Sequence, residues 1–400
     1  MRRNILFVIF FISLLYGSSA DKYFFDSGMI GFKPMYWQFV TIGFALVLLV
    51  TLQSYKQFKI SNNYIIWLIL FLANSIFSYL YSMQGKVEDQ ALIEGFRAVA
   101  LLFSFYVIFS TNEDAQGMLR LAMFVVILIS VPINMIDFVH PIWSRVPGRA
   151  AGLYVNPTIS GAILVIAMVI SVSVVPYKIR LFYCAFIGVG VLLTFSRGPW
   201  LFWVIAVTAL AYTGHIRVGR KGLSIVIAGL FSGLIVYGAL TGGVLEYFTK
   251  TGLDAFLTQD TLSRIGGSGS AFTDNSTSSR VVVAEKAWLV FAENPWLGAG
   301  LGVEQNWSVG SHNTFLRMAA EGGILRLALY IWLFLFLWNM TDKLGKVTLI
   351  IYFFSSLTSH NNLQSPVFLM FLAFIATTTN NENVRNDKSL LPNLRSKAGI

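Results

Sequence analysis

Residues 322–340 read GGILRLALYIWLFLFLWNM, a run in which Arg326 is the single charged residue. An apolar run of this length is what a helix needs to cross roughly 30 Å of hydrocarbon. Similar runs recur along the 400 residues, of which 56% are apolar and 12% charged, and the mean hydropathy is +0.68. Strands of a β-barrel would be about ten residues long and alternate polar with apolar positions, a pattern this sequence lacks. The sequence therefore predicts an all-α, polytopic membrane helix bundle.

Apolar windows predict twelve transmembrane helices. They lie near residues 4–17, 36–52, 64–83, 92–111, 119–137, 159–175, 181–195, 200–213, 223–242, 322–340, 347–360 and 366–379. Twelve spans place both termini on the same side of the membrane. The chain then divides into spans one to nine (1–242), a long polar interval (243–321), spans ten to twelve (322–379) and a polar tail (380–400).

Basic residues predict the orientation of these spans. With the N-terminus in the cytoplasm, the cytoplasmic segments carry 16 of the 29 Lys and Arg residues, as the positive-inside rule requires. The sixteen are Arg2, Arg3, Lys56, Lys59, Arg120, Lys178, Arg180, Arg217, Arg220, Lys221, Lys343, Lys346, Arg385, Lys388, Arg395 and Lys397. The interval 243–321 is then a periplasmic helical loop, and the tail 380–400 is cytoplasmic.

The first span has two interpretations. Arg2 and Arg3, a short apolar run and Ser18-Ser19-Ala20 before Asp21 describe a cleavable signal peptide as well as a retained anchor. The orientation of every later span is the same in both cases.

Composition excludes several classes of function. The net charge of +10 could indicate nucleic acid, but the basic residues are spread through short loops between apolar runs. The one cysteine, Cys184, lies within an apolar run and has no partner for a disulfide or a metal site. No carboxylate pair or His/Asp cluster offers a coordination set. We therefore expect no nucleic-acid partner, no metal and no cofactor.

The polar interval ends at Ser311-His312-Asn313, which opens a helical run leading into span ten. Ser311 or Asn313 suits the N-cap, and the helix N-terminus favours a phosphate. The same positive field disfavours protonation of His312, so its neutral imidazole is a candidate general base. The alternative is that this histidine has only a structural role.

The segment before His312 predicts a helix followed by a glycine-rich turn. Residues 280–293 have an apolar stripe at helical spacing, which is typical of a helix lying along the bilayer surface. The stripe consists of Val281, Ala284, Trp288 and Phe291. Asn294-Pro295 ends this helix, and the three glycines that follow permit close backbone approach. These are Gly298, Gly300 and Gly302. Residues 262–279 are rich in small polar residues and predict a surface loop or a lid.

Arginines collect on the predicted outer face. They are Arg145, Arg149, Arg197, Arg264, Arg280 and Arg317. Guanidinium groups bind phosphate oxygens bidentately, so a pyrophosphate-linked lipid is the substrate class that this pattern favours. Arg197 could instead extend from the interface as a snorkelling side chain. Glu94 and Arg97, one turn apart in span four, either pair with each other or face a polar cavity.

Four features occur in a fixed order along residues 149–330. They are Arg149 through Asn156-Pro157; Ser196-Arg197-Gly198; Arg280 with Trp288, Asn294-Pro295 and the glycines after it; and His312-Asn313 through Gly323-Ile324-Leu325. Together with the twelve-span topology, this combination resembles the O-antigen ligase and O-antigen polymerase family of bacterial inner-membrane proteins. Arg326 departs from the family pattern, which usually has a second glycine after the Gly-Ile pair. That departure questions the close packing at the start of span ten but not the chemistry.

The resemblance implies an inverting, metal-independent glycosyl transfer at the periplasmic face of the inner membrane. The donor would be an undecaprenyl-pyrophosphate-linked glycan, whose tail lies among membrane lipid. Arg197 and Arg280 would hold the pyrophosphate and His312 would accept the proton of the acceptor hydroxyl. We expect further substrate-binding residues in the same segments: Arg149, Asn156, Ser196, Asn313 and Arg317.

The resemblance leaves the acceptor open. A ligase would use the lipid A-core, which we favour, whereas a repeat-unit polymerase would use a second lipid-linked glycan. A lipid-linked glycan flippase or transporter is the alternative from another class. It would need ionisable residues around a midplane cavity, and Glu94 and Arg97 are the candidates for that role.

Overall fold

The structure, a computed structural model, describes residues 2–53, 61–82, 86–111, 113–144, 148–217, 275–307, 310–359 and 362–378. Within these ranges the protein is a bundle of helices, which confirms the all-α prediction. The predicted ninth span at 223–242, the tail 380–400, Arg145, Arg264 and most of the loop 262–279 lie outside the described residues.

The first nine α-helices come before the gap at 218–274. They are α1 (Arg2–Gly17), α2 (Ala20–Asp26), α3 (Pro34–Gln53), α4 (Asn62–Tyr81), α5 (Lys86–Ser110), α6 (Glu113–Val139), α7 (Pro157–Ser171), α8 (Arg180–Leu192) and α9 (Arg197–Tyr212). The four after it are α10 (Asn275–Glu293), α11 (Thr314–Met340), α12 (Lys343–Thr358) and α13 (Pro366–Thr377). Short 3₁₀ turns at Gly152–Tyr154, Tyr177–Ile179 and Val303–Asn306 connect them.

Five of these helices, α3, α4, α5, α6 and α11, are long and apolar enough to cross a membrane, and the bent pair α1–α2 would make a sixth. The chain is therefore a helical membrane protein, but the count of twelve spans is not reached. Helices coincide with the other predicted spans in the described ranges, yet α8 has 13 residues and α13 has 12. The hydropathy window overran α8 because apolar residues continue into the turn after it, as at Leu193 and Phe195.

The bundle has two chemically different ends. At the end that we call the basic end, the charges of Arg180, Asp342, Lys343 and Arg120 all act on His215, whose carbonyl accepts a hydrogen bond from Arg180 Nη1 at 2.9 Å. The turns that begin α7, α9 and α11 lie at the other end, which we call the site end. Arg120, Arg180 and Lys343, three of the basic residues that the sequence assigned to the cytoplasmic side, therefore lie at the same end of the bundle.

Asp137, in the last turn of α6, organises the loop at the site end. It is 1% exposed, and its two carboxylate oxygens accept five backbone hydrogen bonds of 2.8 to 3.2 Å. The donors are the N–H groups of Ile142, Trp143, Ser144, Ala151 and Gly152. One side chain thus replaces the hydrogen bonds that this irregular backbone segment lacks.

Helix α11 is kinked where Gly322 and Gly323 leave helical geometry, and Gly323 has φ +62°. The glycine turn after α10 packs into this kink: a Cβ on Gly298 would lie 2.5 Å from the Gly322 nitrogen. Ala299 N–H donates to the Ala320 carbonyl at 2.8 Å. The predicted close backbone approach of these glycines is confirmed.

Arg326 does not disturb this packing. Its Nη1 donates to Ser75 Oγ at 3.1 Å, and its guanidinium lies 4.8 Å from the centre of the Phe71 ring. The start of α11 is therefore closely packed although the second glycine of the family pattern is missing.

Candidate active site

His312 sits in a strained turn at the start of α11. Its φ is +53°, a left-handed conformation that a residue with a Cβ rarely adopts. Asn313 is the N-cap, because its Oδ1 accepts from the backbone N–H groups of Phe315 at 2.9 Å and Leu316 at 3.2 Å. Of the two predicted caps the structure therefore selects Asn313, and Ser311 Oγ donates to the Asn313 carbonyl at 3.0 Å.

The environment of His312 favours its neutral form. Burial is the larger cause that lowers the pKa of the half-buried imidazole, and the positive charge of Arg280 lowers it further. Arg280, exposed on α10, is thus close enough to act on His312. The predicted direction of the pKa shift is confirmed, with burial and a guanidinium as its causes.

Arg197 is the first residue of α9 and is exposed at the site end. The turn before it is held by Arg149, which is 6% exposed and donates through Nε to the Thr194 carbonyl at 3.0 Å and through Nη2 to Ser196 Oγ. Ser196 Oγ also lies 3.1 Å from Thr158 Oγ1. Arg149 and Ser196 therefore hold the turn from which the exposed side chain of Arg197 extends.

The end of α12 links the Arg197 turn with the His312 turn. Thr314 Oγ1 donates to the Ser359 carbonyl at 2.5 Å, and a Cβ on Gly198 would lie 3.8 Å from Thr358 Oγ1. The two turns thus lie against adjacent residues at the C-terminus of α12, the Arg197 turn near Thr358 and the His312 turn against Ser359. The fold brings Arg197, Arg280 and His312 to one end of the bundle, although more than 100 residues separate Arg197 from His312.

Two other predicted substrate-binding residues have clear structural contacts. Asn156 caps α7, with Oδ1 accepting from Thr158 N–H at 2.9 Å. Arg317 is buried in α11 and forms an ion pair with Glu321 at 2.9 Å. Binding of substrate by these residues stays a prediction.

A polar cavity of about 260 Å³ lies next to the His312 turn. Its lining includes Glu94, Glu304, Gln305, Trp307, Arg317 and Gln364. Glu94 accepts a hydrogen bond from the side-chain amide of Gln364. Arg97 Nη2 donates to the backbone carbonyl oxygen of Gln364 at 3.2 Å. Glu94 therefore lines the polar cavity, whereas Arg97, for which pairing with Glu94 or facing such a cavity was predicted, does not line it and donates to Gln364.

Glu304 is a residue that the sequence reasoning missed. It is 4% exposed, and its Oε2 accepts from Ser311 N–H at 3.3 Å, one residue before His312. Burial raises the pKa of its carboxyl to about 7. The available signal was an acidic residue inside a glycine-rich turn, seven positions before Ser311.

Within the described ranges, no group of three or more His, Cys, Asp or Glu side chains is arranged to hold a metal ion. Cys184 is a buried free thiol in α8.

Residues 182–331 match a protein-family model described as O-antigen ligase. This segment, somewhat more than a third of the chain, is similar to the O-antigen ligase family. The match includes the turns of Arg197 and His312 and the helix of Arg280, whereas Arg149 and Asn156 precede it. A search of curated proteins found no match. The family is a ligase and polymerase type of glycosyltransferase, and its substrates are lipid-linked glycans.

Proposed function

We propose that this protein transfers a glycan from undecaprenyl pyrophosphate to the lipid A-core at the periplasmic face of the inner membrane. The observation that carries the proposal is the half-buried His312, whose pKa is lowered by burial and by Arg280, at the same end of the bundle as Arg197 and inside the segment that matches the family model. The proposal includes the twelve-span topology and a periplasmic position for residues 243–321.

In this mechanism His312 accepts the proton of an acceptor hydroxyl. The hydroxyl oxygen attacks the anomeric carbon while the bond from that carbon to the pyrophosphate oxygen breaks. The leaving pyrophosphate takes the electron pair, and a single displacement of this kind inverts the anomeric centre. General base catalysis contributes typically about 10²- to 10⁴-fold to such a step.

Arg197 and Arg280 would stabilise the charge that develops on the leaving group. Both side chains are exposed, and Arg197 also lies at the N-terminus of α9, where free N–H groups and the helix dipole favour a phosphate. Two guanidinium groups can bind the pyrophosphate oxygens bidentately, so the proposed reaction proceeds without a metal.

The carrier lipid would lie beside α10. This helix covers the predicted range 280–293. Its buried side contains Ala287, whereas two residues of the predicted apolar stripe, Val281 and Trp288, are 60% and 55% exposed. Val282 and Leu289 are also exposed. An exposed apolar face suits contact with acyl chains at the membrane surface, which is where a polyprenyl tail would be held.

The test is the glycan profile of a deletion strain complemented with the wild type, His312→Ala or His140→Ala. His140 is a matched control, since it is exposed at the site end but outside the candidate site. We expect full-length polymer to remain on the carrier lipid with His312→Ala and normal linkage with His140→Ala. Single repeats left on the core would indicate a polymerase. Normal surface glycan with His312→Ala would refute the transfer mechanism.

A further inference from the structure

The cavity lined by Glu94, Glu304 and Trp307 has no part in the transfer step described above. Its volume of about 260 Å³ is slightly below the range of roughly 300–1,000 Å³ typical of pockets for drug-sized ligands. A single small ring with its substituents would fill it. The cavity adjoins the His312 turn through the hydrogen bond from Ser311 N–H to Glu304.

Glu304 points to a ligand that donates hydrogen bonds. Its side chain is almost fully buried and faces the cavity, and Oε1 has no hydrogen-bond partner among the described residues. Buried polar atoms are nearly always hydrogen-bonded, and leaving one unpaired is costly. A hydroxyl group in the cavity would satisfy this oxygen.

The charges around the cavity disfavour an anion. Arg317 is its one cationic lining group, and Glu321 pairs with this guanidinium at 2.9 Å. Glu94 adds a negative charge to the lining, and Glu304, whose pKa burial raises to about 7, adds a partial one at neutral pH, so the lining has no net positive charge to attract a phosphate group or a carboxylate. The cavity therefore differs in chemistry from the exposed pair Arg197 and Arg280.

Trp307 supplies the apolar part of the lining. Its ring is held from one side by Lys286, whose Nζ lies 4.9 Å from the ring centre. An aromatic side chain next to carboxylates and carboxamides suits a molecule with both C–H faces and hydroxyl groups. Gln305 and Gln364, which both donate to Glu94, complete this polar set.

We propose that this cavity is a subsite for one uncharged sugar ring of the glycan substrates, with Glu304 accepting from ring hydroxyls and Trp307 packing against the ring. The inference rests on the proposed glycosyl transfer. Because Glu304 also binds Ser311 N–H, occupancy of the subsite would fix the His312 turn while the acceptor hydroxyl is deprotonated.

The experiment uses the purified full-length protein in lipid nanodiscs and two phosphate-free probes. One is the repeat-unit oligosaccharide released from the carrier lipid, and the other is the delipidated, dephosphorylated core oligosaccharide. Saturation-transfer NMR titration measures Kd for the wild type, Glu304→Gln and Trp307→Leu. The controls are Glu293→Gln and Trp296→Leu, which change exposed side chains of the same types outside the cavity.

We expect one probe to bind, and both cavity variants to weaken its binding by about tenfold or more, which corresponds to ~1.4 kcal/mol. Both controls should bind like the wild type. The probe that binds identifies the ring as part of the donor or of the acceptor. In a transfer assay, Glu304→Gln should raise KM for that substrate more than it lowers kcat.

The subsite is refuted if neither probe binds the wild type or if both cavity variants bind as tightly as it does. Glu304→Gln retains an oxygen for Ser311 N–H, and thermal unfolding checks that each variant is folded. His312→Ala separates the two proposals. If Glu304→Gln weakens probe binding but the wild type transfers no glycan, the function alone is refuted. If transfer is lost in His312→Ala but the cavity variants bind the probe like the wild type, the subsite alone is refuted.

Discussion

At the scale of single residues, the surroundings of His312 favour the neutral imidazole that the proposed base role requires. Burial and the charge of Arg280 both lower its pKa below the ordinary value of about 6.5. The neutral imidazole is the active form of a base, so the proposed mechanism predicts activity above the pKa of His312 and its loss as the pH falls through that pKa.

The first prediction concerns the acid limb of the pH profile. We expect kcat/KM of the wild type to fall with a midpoint below about 6.5. In Arg280→Gln the loss of a nearby positive charge makes protonation of His312 easier, so the midpoint should move to higher pH while the plateau also falls. Transfer assays across the acid range measure the midpoint. An unchanged midpoint in Arg280→Gln would mean that the two residues are uncoupled in solution.

Asp137 carries the second prediction at this scale. Asn at position 137 keeps the shape of the side chain but has only one oxygen to accept from the five backbone N–H groups. Its amide NH2 group would face the N–H groups that the second carboxylate oxygen now binds. With hydrogen bonds to charged groups at about 1.5–3 kcal/mol each, we expect Asp137→Asn to lose on the order of 3 kcal/mol of stability.

Thermal unfolding in detergent measures this loss, and Asp342→Asn is the control. Asp342 caps α12 through one hydrogen bond to Gly345 N–H at 2.7 Å. Asn caps helices about as well as Asp, so this variant should unfold like the wild type. Equal stability of the two variants would contradict the anchoring role of Asp137.

At the scale of elements, the kink of α11 decides where the His312 turn lies. Gly323 adopts φ +62°, and a Cβ there would overlap the backbone of Trp296. Ile324 N–H completes the joint by donating to the Pro295 carbonyl at 2.8 Å. The first part of α11 therefore packs against the turn that follows α10, and α10 is the helix that carries Arg280.

The third prediction is that Gly323→Ala destabilises the protein and lowers transfer. With ψ −156°, Gly323 lies in a backbone region that essentially only glycine adopts, which costs a residue with a Cβ about 1–3 kcal/mol, and the overlap with Trp296 adds to this. Gly43→Ala in α3 is the control, because a Cβ there meets nothing within 4 Å. The Tm of Gly43→Ala should stay the same or rise, since alanine has a higher helix propensity than glycine. Equal Tm values for both variants would argue against the close-packed joint.

At the scale of the whole molecule, the separation of a basic end from a site end agrees with the charge pattern along the sequence. Arg180 lies at the basic end and Arg197 at the site end, because helix α8 runs between these two positions. If the positive-inside rule applies, the basic end faces the cytoplasm and the candidate active site faces the periplasm.

The fourth prediction tests this orientation by cysteine labelling in a Cys184→Ala background. His140→Cys lies at the site end and Tyr177→Cys at the basic end, and both native side chains are exposed. A membrane-impermeant maleimide should label position 140 in cells with a permeabilised outer membrane, and position 177 only after lysis. The reverse pattern would place the site in the cytoplasm and contradict the proposed function.

The sequence alone determined the helical membrane class and the start of α11 close to Ser311 and Asn313, and the structure chose Asn313 as the cap. The sequence also determined the segments that carry Arg197, Arg280 and His312, because hydropathy, capping and glycine preferences are local properties of the chain. Residues 182–331 also carry the family pattern by themselves.

Only the tertiary structure decided which of these segments meet. The contacts of Thr314 and Gly198 with the end of α12, the five hydrogen bonds of Asp137 and the buried Glu304 join residues that are distant in the chain or separated by irregular turns. No local pattern encodes such contacts. Burial, which lowers the pKa of His312 and raises that of Glu304, is likewise a property of the packed bundle and not of the neighbouring residues.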